Sequence, residues 1–152
     1  MISIRTARLA DAPAMSVVLI ASITELCIAD HRNDPAALAA WLGNKTPESV
    51  ARWFDNPAGT PLVAERHNEI AAVGAFNNSR EVTLNYVAPA HRFAGVSRAL
   101  LAAIETALGP GEARLSSTGT AHRFYLANGW QDAGAIEHYA GMAAYPMRKM
   151  LS

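Results

Sequence analysis

The sequence predicts one α/β (α+β) domain over residues 1–152, with a mixed central sheet of about six or seven strands flanked by helices. Two periodic patterns carry this prediction: residues 81–87 alternate as in a strand, and residues 96–108 repeat apolar side chains as in an amphipathic helix. Composition is the third observation, because 51% hydrophobic and 17% charged residues are typical of a globular chain. A chain of 152 residues buries about 70% of its unfolded surface without disulfide or metal staples.

The chain is predicted to begin with one strand and one helix. Residues 2–7, with the sequence ISIRTA, alternate with a period of two and predict the first strand. Asp11 precedes an apolar run and is the expected N-cap of a helix that buries Val17, Val18 and Ala21.

Two short helices and a hairpin are predicted next. Asp34-Pro35 and Thr46-Pro47 each place a capping residue before a proline, which is typical of a helix start. Residues 62–65 and 69–76 predict two strands joined by a turn, and residues 81–87 predict the fourth strand. Simple alternation gives this fourth strand an apolar face with Val82, Leu84 and Tyr86, and a polar face with Glu81, Thr83, Asn85 and Val87.

The remaining elements follow the strongest helical pattern in the chain. Apolar residues at the i, i+3, i+4 and i+7 positions predict a helix over residues 96–108, which GPG ends. Residues 112–117 then predict a strand, and residues 120–129 a helix that ends at a glycine. The segments 130–134 and 145–151 predict the last two strands.

The stretch HRFAGVSRALL, residues 91–101, interrupts the apolar pattern between the fourth strand and the long helix. The first N–H groups of a helix have no intrahelical partner and lie at the positive end of its dipole. Gly95 lets a ligand approach the backbone, Ser97 is small, and Arg92 and Arg98 add positive charge. The stretch therefore predicts an anion-binding turn.

This stretch resembles the acetyl-CoA-binding segment of the GCN5-related N-acetyltransferase (GNAT) family, whose signature is Gln/Arg-x-x-Gly-x-Gly/Ala. Arg92, Gly95 and Ser97 occupy its three fixed positions, and Ser97 departs from the usual glycine or alanine. The later segments AHRFYLANGW and YPMRKML resemble the family's later helix and last strand. The likeness covers nearly the whole chain and is weakest from Cys27 to Pro61.

The resemblance implies a GNAT fold in which the fourth and fifth strands splay apart and hold acetyl-CoA between them. It implies main-chain contacts from Tyr86 and Val87 to the pantetheine arm, with the acetyl carbonyl near the Val87 amide. The pyrophosphate is expected on the N–H groups of Phe93, Ala94, Gly95, Val96, Ser97 and Arg98. The implied reaction is acetyl transfer to a primary amine of a small molecule or protein, by direct attack in a ternary complex.

Two residues are candidates for acid–base catalysis. Glu81 resembles the family's glutamate base, although a glutamate at a strand start is also commonly just solvated. Tyr125 matches the family tyrosine that protonates the coenzyme A thiolate, although a tyrosine on a helix also commonly packs in the core. Asn85 and His31 are expected to bind the acceptor, with His31 or a water as an alternative base. Cys27 is expected to be a small buried hydrophobe rather than a nucleophile.

Net charge and motif content argue against other classes of function. Thirteen basic and thirteen acidic residues give no net charge, so we expect no nucleic-acid partner. With one cysteine and no metal-ligand motif, we expect no disulfide and no metal. We expect no targeting segment or membrane span and a cytoplasmic location, and a homodimer is a candidate assembly. A non-catalytic acyl-CoA-binding sensor or interaction module on the same fold is the alternative function.

Overall fold

An eight-stranded mixed sheet forms the centre of the structure, a computed structural model that describes residues 1–152. The strands are Ser3–Thr6 (β1), Gly59–Arg66 (β2), Glu69–Asn77 (β3), Glu81–Val87 (β4), Gly111–Thr118 (β5), Gln131–Asp132 (β6), Glu137–Tyr139 (β7) and Met142–Leu151 (β8). Their order across the sheet is β1-β2-β3-β4-β5-β8-β6, and β7 also pairs with β8. Only β4 and β5 run parallel to each other.

Six helices and three short 3-10 turns connect the strands. The helices are Ala12–Leu26 (α1), Ile28–His31 (α2), Pro35–Leu42 (α3), Pro47–Arg52 (α4), Val96–Leu108 (α5) and Gly119–Ala127 (α6). The 3-10 turns are Leu9–Asp11, Trp53–Asp55 and Pro89–His91. The mixed α/β class and the flanking helices agree with the sequence prediction.

The two faces of the sheet bury two separate hydrophobic clusters. On one face, Leu100 and Ile104 of α5 are fully buried, and a Cβ at Gly74 of β3 would lie only 2.9 Å from the Ile104 side chain. On the other face, α1 and α4 pack against Val63 and Val73. Because neighbouring residues on a strand face opposite ways, β2 and β3 supply both clusters.

Helix α1 buries Val18 as predicted, but its fully buried stripe is a different one. Met15, Leu19 and Ile23 are fully buried, whereas Val17 is 67% exposed. These three residues are spaced four apart and share one face, while Val17 lies about 200° away from Met15 around the helix. Asp11 does not cap α1 with its side chain, because its carboxylate accepts hydrogen bonds from the Arg8 N–H and the Arg5 guanidinium.

The caps of the next two helices follow the sequence prediction. Asp34 accepts a hydrogen bond from the Ala37 N–H at 2.9 Å, and Thr46 accepts one from the Ser49 N–H at 3.1 Å. Each cap satisfies one of the main-chain donors that a helix start leaves free.

Strand β7 is an addition to the predicted sheet. It forms a tight hairpin with β8, in which Tyr139 lies opposite Met142 across a two-residue turn. Both turn residues, Ala140 and Gly141, have positive φ values of 50° and 80°. An alanine does not signal such a turn in the sequence, which explains why this short strand was missed.

The segment Leu9–Leu26 is long and apolar enough to cross a membrane by length and composition alone, with a mean hydropathy of 1.5. Core helices pass the same criterion. In this structure the fully buried side chains of α1 pack against the sheet, and this packing accounts for the apolar composition.

Candidate functional site

A cleft opens where β4 and β5 separate. The two strands pair only at Glu81 with Arg114 and at Val82 with Leu115, and they diverge beyond these pairs. The resulting cavity of about 400 Å³ is lined by residues of β4, β5, the loop before α5, α6 and the end of α1. The expected splay between the fourth and fifth strands is therefore present.

A β-bulge at Thr83 changes which side chains of β4 share a face. Phe76 of β3 lies opposite Val82 and Ala75 lies opposite Leu84, so Thr83 has no partner. An extra residue on one strand shifts the alternation by one position. Val82 accordingly packs in the α5 cluster, while Leu84 and Tyr86 pack in the α1 cluster. The prediction of one shared face for these three residues is wrong.

The register of β4 determines which main-chain groups face the cleft. The Ala88 N–H donates to the Ala71 carbonyl at 2.7 Å, so Tyr86, two residues earlier, also directs its main chain to β3. The N–H and C=O groups of Asn85 and Val87 point the opposite way, into the cleft. The free main-chain groups are those of Asn85 and Val87, and the prediction for the main chain of Tyr86 is wrong. The Tyr86 side chain still lines the cleft.

A row of free N–H groups lies at one end of this cleft. From Phe93 to Arg98, none of the main-chain N–H groups donates to a main-chain carbonyl, and the first bond of α5 runs from Ala99 to Gly95. Gly95 has a φ of 79°, and an added Cβ would meet nothing within 4 Å. The glycine is therefore required for its left-handed backbone and for the open space beside it.

Positive charge surrounds this row, and a buried histidine anchors it. The exposed Arg92 and Arg98 line the cleft, and the Arg92 guanidinium lies 4.2 Å from the centre of the Phe93 ring. His91 is buried. Its Nε2 lies 2.9 Å from the Glu69 carboxylate, and its Nδ1 lies 3.2 Å from the Arg66 guanidinium.

Tyr125 and Asn85 lie together inside the cleft. The Tyr125 side chain is buried, with edge-on ring contacts to Phe124 and Trp130. Burial raises the pKa of its hydroxyl to about 12, and the nearby Asn85 side chain partly opposes this rise. The Oδ1 atom of Asn85 is buried without a hydrogen-bond partner. A ligand donor in the cleft could satisfy that atom, because buried polar groups are normally paired.

Glu81 lies outside the cleft. It is exposed at the end of β4 where the two strands still pair, and it accepts a hydrogen bond from the Asn77 amide at 3.2 Å. Val87 lies six positions further along the strand, which corresponds to about 20 Å. This position argues against Glu81 as the base.

His31 is a structural residue and does not line the cleft. Its side chain is buried, its Nε2 donates to the Ile23 carbonyl at 2.9 Å, and its Nδ1 accepts from the Asn33 N–H at 3.0 Å. With both ring nitrogens engaged, neither is free to bind an acceptor or remove a proton. The structure therefore contradicts the substrate-binding and base roles predicted for His31.

Cys27 lines the cleft as a buried thiol. Burial raises its pKa to about 12, which disfavours the thiolate that nucleophilic attack requires. Its placement agrees with the expected small hydrophobe. No group of three or more histidine, cysteine, aspartate or glutamate side chains in this structure could hold a metal ion.

The opposite wall of the cleft comes from residues that sequence reasoning missed. Ser116, Ser117 and Thr118 at the end of β5 line it, and they also line a smaller cavity of about 130 Å³ with Trp41 and Tyr86. The only trace of this wall in the sequence is a run of small hydroxyl side chains at a strand end. The smaller cavity opens from the main cleft on the side of α3 and β8.

Asp30 connects the helices on either side of this smaller cavity. Its carboxylate accepts hydrogen bonds from the N–H groups of Gly119 at 2.7 Å and Thr120 at 3.2 Å, and from the Thr120 hydroxyl. A carboxylate at the start of a helix accepts hydrogen bonds from the free N–H groups there and interacts favourably with the helix dipole. Asp30 thereby holds α6, which carries Tyr125, against α2.

Comparison with known proteins identifies a family for this architecture. A family model described as an acetyltransferase (GNAT) domain matches residues 27–151. Among curated proteins, no sequence matches the chain significantly.

Solved structures share the fold at low sequence identity. A GCN5-related N-acetyltransferase from Rhodopseudomonas palustris has a TM-score of 0.85 and 19% identity, over 98% of this chain and 95% of that one. The PaiA N-acetyltransferase from Thermoplasma acidophilum, solved in complex with coenzyme A, has a TM-score of 0.78 and 19% identity over 99% of both chains. A histone acetyltransferase HPA2 and related acetyltransferase from Corynebacterium glutamicum has a TM-score of 0.76 and 20% identity, over 99% of this chain and 97% of that one.

Proposed function

The chain belongs to the GNAT acetyltransferase family, and we propose that it transfers the acetyl group of acetyl-CoA to a primary amine of a small molecule or protein. The observation that carries this proposal is the row of free N–H groups from Phe93 to Arg98 at the end of a splayed cleft. Phosphate oxygens are the ligands that such a row suits best, and Arg92 and Arg98 add charge that favours the same anion.

The cleft also fits the rest of the cosubstrate. An amide-bearing arm laid along β4 would find free main-chain donors and acceptors at Asn85 and Val87, as a neighbouring strand would. The apolar walls, which include Val82 and Phe124, suit the hydrocarbon parts of such an arm.

The chemistry of transfer needs one proton removed and one returned. The amine nitrogen attacks the thioester carbonyl carbon, a C–N bond forms, the C–S bond breaks, and the thiolate takes a proton. Tyr125 is the group placed to supply that proton, because its hydroxyl lies in the cleft and its raised pKa keeps it protonated at neutral pH. The unpaired Oδ1 of Asn85 is placed to accept a hydrogen bond from an N–H of the acceptor or of the cosubstrate.

No free carboxylate or imidazole lines the cleft to serve as a base. The only histidine there is His91, which is engaged by Glu69 and Arg66. We therefore assign the removal of the amine proton to water. The acceptor amine would reach the thioester from the α1 side of β4, where the side chains of Leu84 and Tyr86 lie.

A charge reversal in the loop tests the binding step. Gly95→Glu places a carboxylate in the open space beside the free N–H row, and we expect calorimetry to show that acetyl-CoA binding is lost. Gly141→Glu is the matched control, because Gly141 has a φ of 80° and its added Cβ also meets nothing within 4 Å. Equal acetyl-CoA affinity in the two variants would overturn the assigned site.

The absence of a free side-chain base in the cleft also favours a second candidate, a non-catalytic acyl-CoA-binding sensor or interaction module. Purified protein incubated with acetyl-CoA and a panel of amines separates the two candidates. An enzyme releases free thiol in proportion to the amine that it acetylates. Tight acetyl-CoA binding with no thiol release across the panel would favour the module.

A further inference from the structure

A second large cavity lies on the α4 face of the sheet and takes no part in the site described above. Its volume is about 600 Å³, and its walls come from α4, the following 3-10 turn and the adjoining ends of β2, β3 and β4. Most of the lining is polar and includes asparagine, serine and threonine side chains that can donate hydrogen bonds.

The charge in this cavity is entirely positive. Lys45 and Arg52 line it, and no aspartate or glutamate does. Arg52 has no carboxylate within ion-pair distance and donates only to the Ser49 hydroxyl, at 3.2 Å. The cavity therefore offers two cations and no internal anion.

Lys45 is unusual because it is a buried cation without a counter-charge. The residue is only 7% exposed. Its Nζ donates to the Asn44 side-chain oxygen at 2.5 Å and to the Trp41 carbonyl at 3.4 Å. An ammonium has three donors, so one remains without an acceptor. By contrast, the part-buried Lys149 lies 2.9 Å from the Glu105 carboxylate.

The backbone of Lys45 is held in place. The buried Ser16 hydroxyl of α1 donates to the Lys45 carbonyl at 2.5 Å. Burial lowers the pKa of the Lys45 ammonium, and a bound anion would offset that cost. A fixed, desolvated cation with a spare donor is the kind of group that recognises a carboxylate or phosphate.

The cavity adjoins the cleft where acetyl transfer is proposed. Thr83 and Leu84 line both cavities, so only these two residues of β4 separate them. Leu84 immediately precedes Asn85, whose main chain faces the cleft. Val87, whose amide is expected beside the acetyl carbonyl, lies three positions beyond Leu84, and three strand positions span about 10 Å, which a bifunctional molecule with a short alkyl chain can bridge.

We propose that this cavity is an acceptor subsite that binds an anionic group, so that the acceptor is an amine that also bears a carboxylate or a phosphate. The inference rests on the proposed acetyl transfer for the amine end, and on Lys45 and Arg52 for the anionic end. Lys45 and Arg52 are binding residues in this assignment and take no part in the chemical step.

Matched amines test the charge requirement. 6-Aminohexanoate and its neutral amide differ only in the carboxylate, and 6-aminohexyl phosphate and 6-aminohexanol differ only in the phosphate. Their alkyl chains let the amine and the anionic group approach the span of about 10 Å along β4. We expect each anionic amine to have a kcat/KM at least about tenfold above that of its neutral partner, as one charge-assisted hydrogen bond provides. A preference for the anionic amine in only one pair shows whether the cavity binds a carboxylate or a phosphate. Equal kcat/KM values within both pairs would overturn the proposal.

Two variants assign the effect to the cavity. Arg52→Gln and Lys45→Met are expected to raise the KM of the preferred anionic amine about tenfold or more, with the neutral partner and the affinity for acetyl-CoA unchanged. Arg114→Gln removes an exposed arginine of β5 that pairs only with Glu112, and it serves as the control. An equal loss for charged and neutral amines in the two cavity variants would contradict the assignment.

A binding measurement keeps this inference separate from the proposed activity. Trp53 lines the cavity, so 6-aminohexanoate and 6-aminohexyl phosphate can be titrated against tryptophan fluorescence without turnover. Binding that weakens in Arg52→Gln supports the subsite even if no amine releases thiol, an outcome that would refute only the acetyl transfer. Binding that is absent, or equal in wild type and Arg52→Gln, refutes the subsite even if neutral amines are acetylated.

Discussion

Replacing Tyr125 with phenylalanine tests the proposed proton donor most directly. The variant removes one hydroxyl and keeps the ring, so the edge-on contacts with Phe124 and Trp130 remain. Loss of the hydroxyl is expected to cost no more than about 1 kcal/mol of folding stability. Because that is a small fraction of a typical domain's stability, the variant should fold and bind acetyl-CoA as the wild type does.

The expected kinetic loss is much larger than the loss of stability. A positioned general acid contributes about 10²–10⁴-fold to rate, so kcat of Tyr125→Phe should fall about 100-fold or more. Thiol release in steady state measures kcat, and calorimetry measures acetyl-CoA affinity in the same preparation. A kcat within about threefold of wild type, with unchanged affinity, would refute Tyr125 as the acid.

The pH profile provides a second, independent result for the same residue. An ordinary tyrosine has a pKa of 10.0, and burial raises that of Tyr125 to about 12. The free enzyme should keep the donor proton until the pH approaches the raised value, so kcat/KM should show no falling limb near pH 10 from this group. A fall in kcat/KM near pH 10 that the wild type shows and Tyr125→Phe does not would contradict the raised pKa.

Two further substitutions test other assignments. Glu81→Gln should leave the rate within about threefold of wild type at every pH, because Glu81 is exposed and about 20 Å along β4 from Val87; a loss concentrated below the pH optimum would restore Glu81 as the base. Arg80→Ala should lower the free energy of unfolding in urea by about 2–3 kcal/mol, because the guanidinium donates to the carbonyls of Leu108, Gly109 and Glu112 at 2.7–2.9 Å. A change below 0.5 kcal/mol, like that expected of an exposed control such as Arg114→Ala, would refute the capping role.

Local patterns explain why the cofactor end of the site was predictable. Helix α5 was found because Val96, Leu100 and Ile104 repeat at helical spacing, and the structure buries all three. The free N–H row follows from where that helix begins, and Gly95 marks the left-handed residue at its start. Both features depend on contiguous residues, so a single sequence contains them.

The errors lie where one residue depends on distant partners. The bulge at Thr83 depends on how β3 lies against β4, and simple alternation therefore placed Val82 on the wrong face. The Ile23 carbonyl holds the His31 ring away from the cleft, and the Ser16 hydroxyl of α1 fixes the main chain of Lys45. A pattern of residue types along the chain contains none of these contacts.

The bulge also explains how one strand can serve two ligands from opposite faces of the sheet. Before the bulge, Val82 belongs to the α5 side, and after it Leu84 and Tyr86 face α1, so the walls on the acceptor side consist of large side chains. The same shift sets the main chain of Asn85 and Val87 toward the gap that β5 leaves. If Thr83 instead paired with β3 in regular alternation, Val82 and Leu84 would share a face. Removing Thr83 alone would leave Phe76 opposite Val82 and Ala75 opposite Leu84 as consecutive pairs, so Val82 and Leu84 would still lie on opposite faces and both walls would be kept.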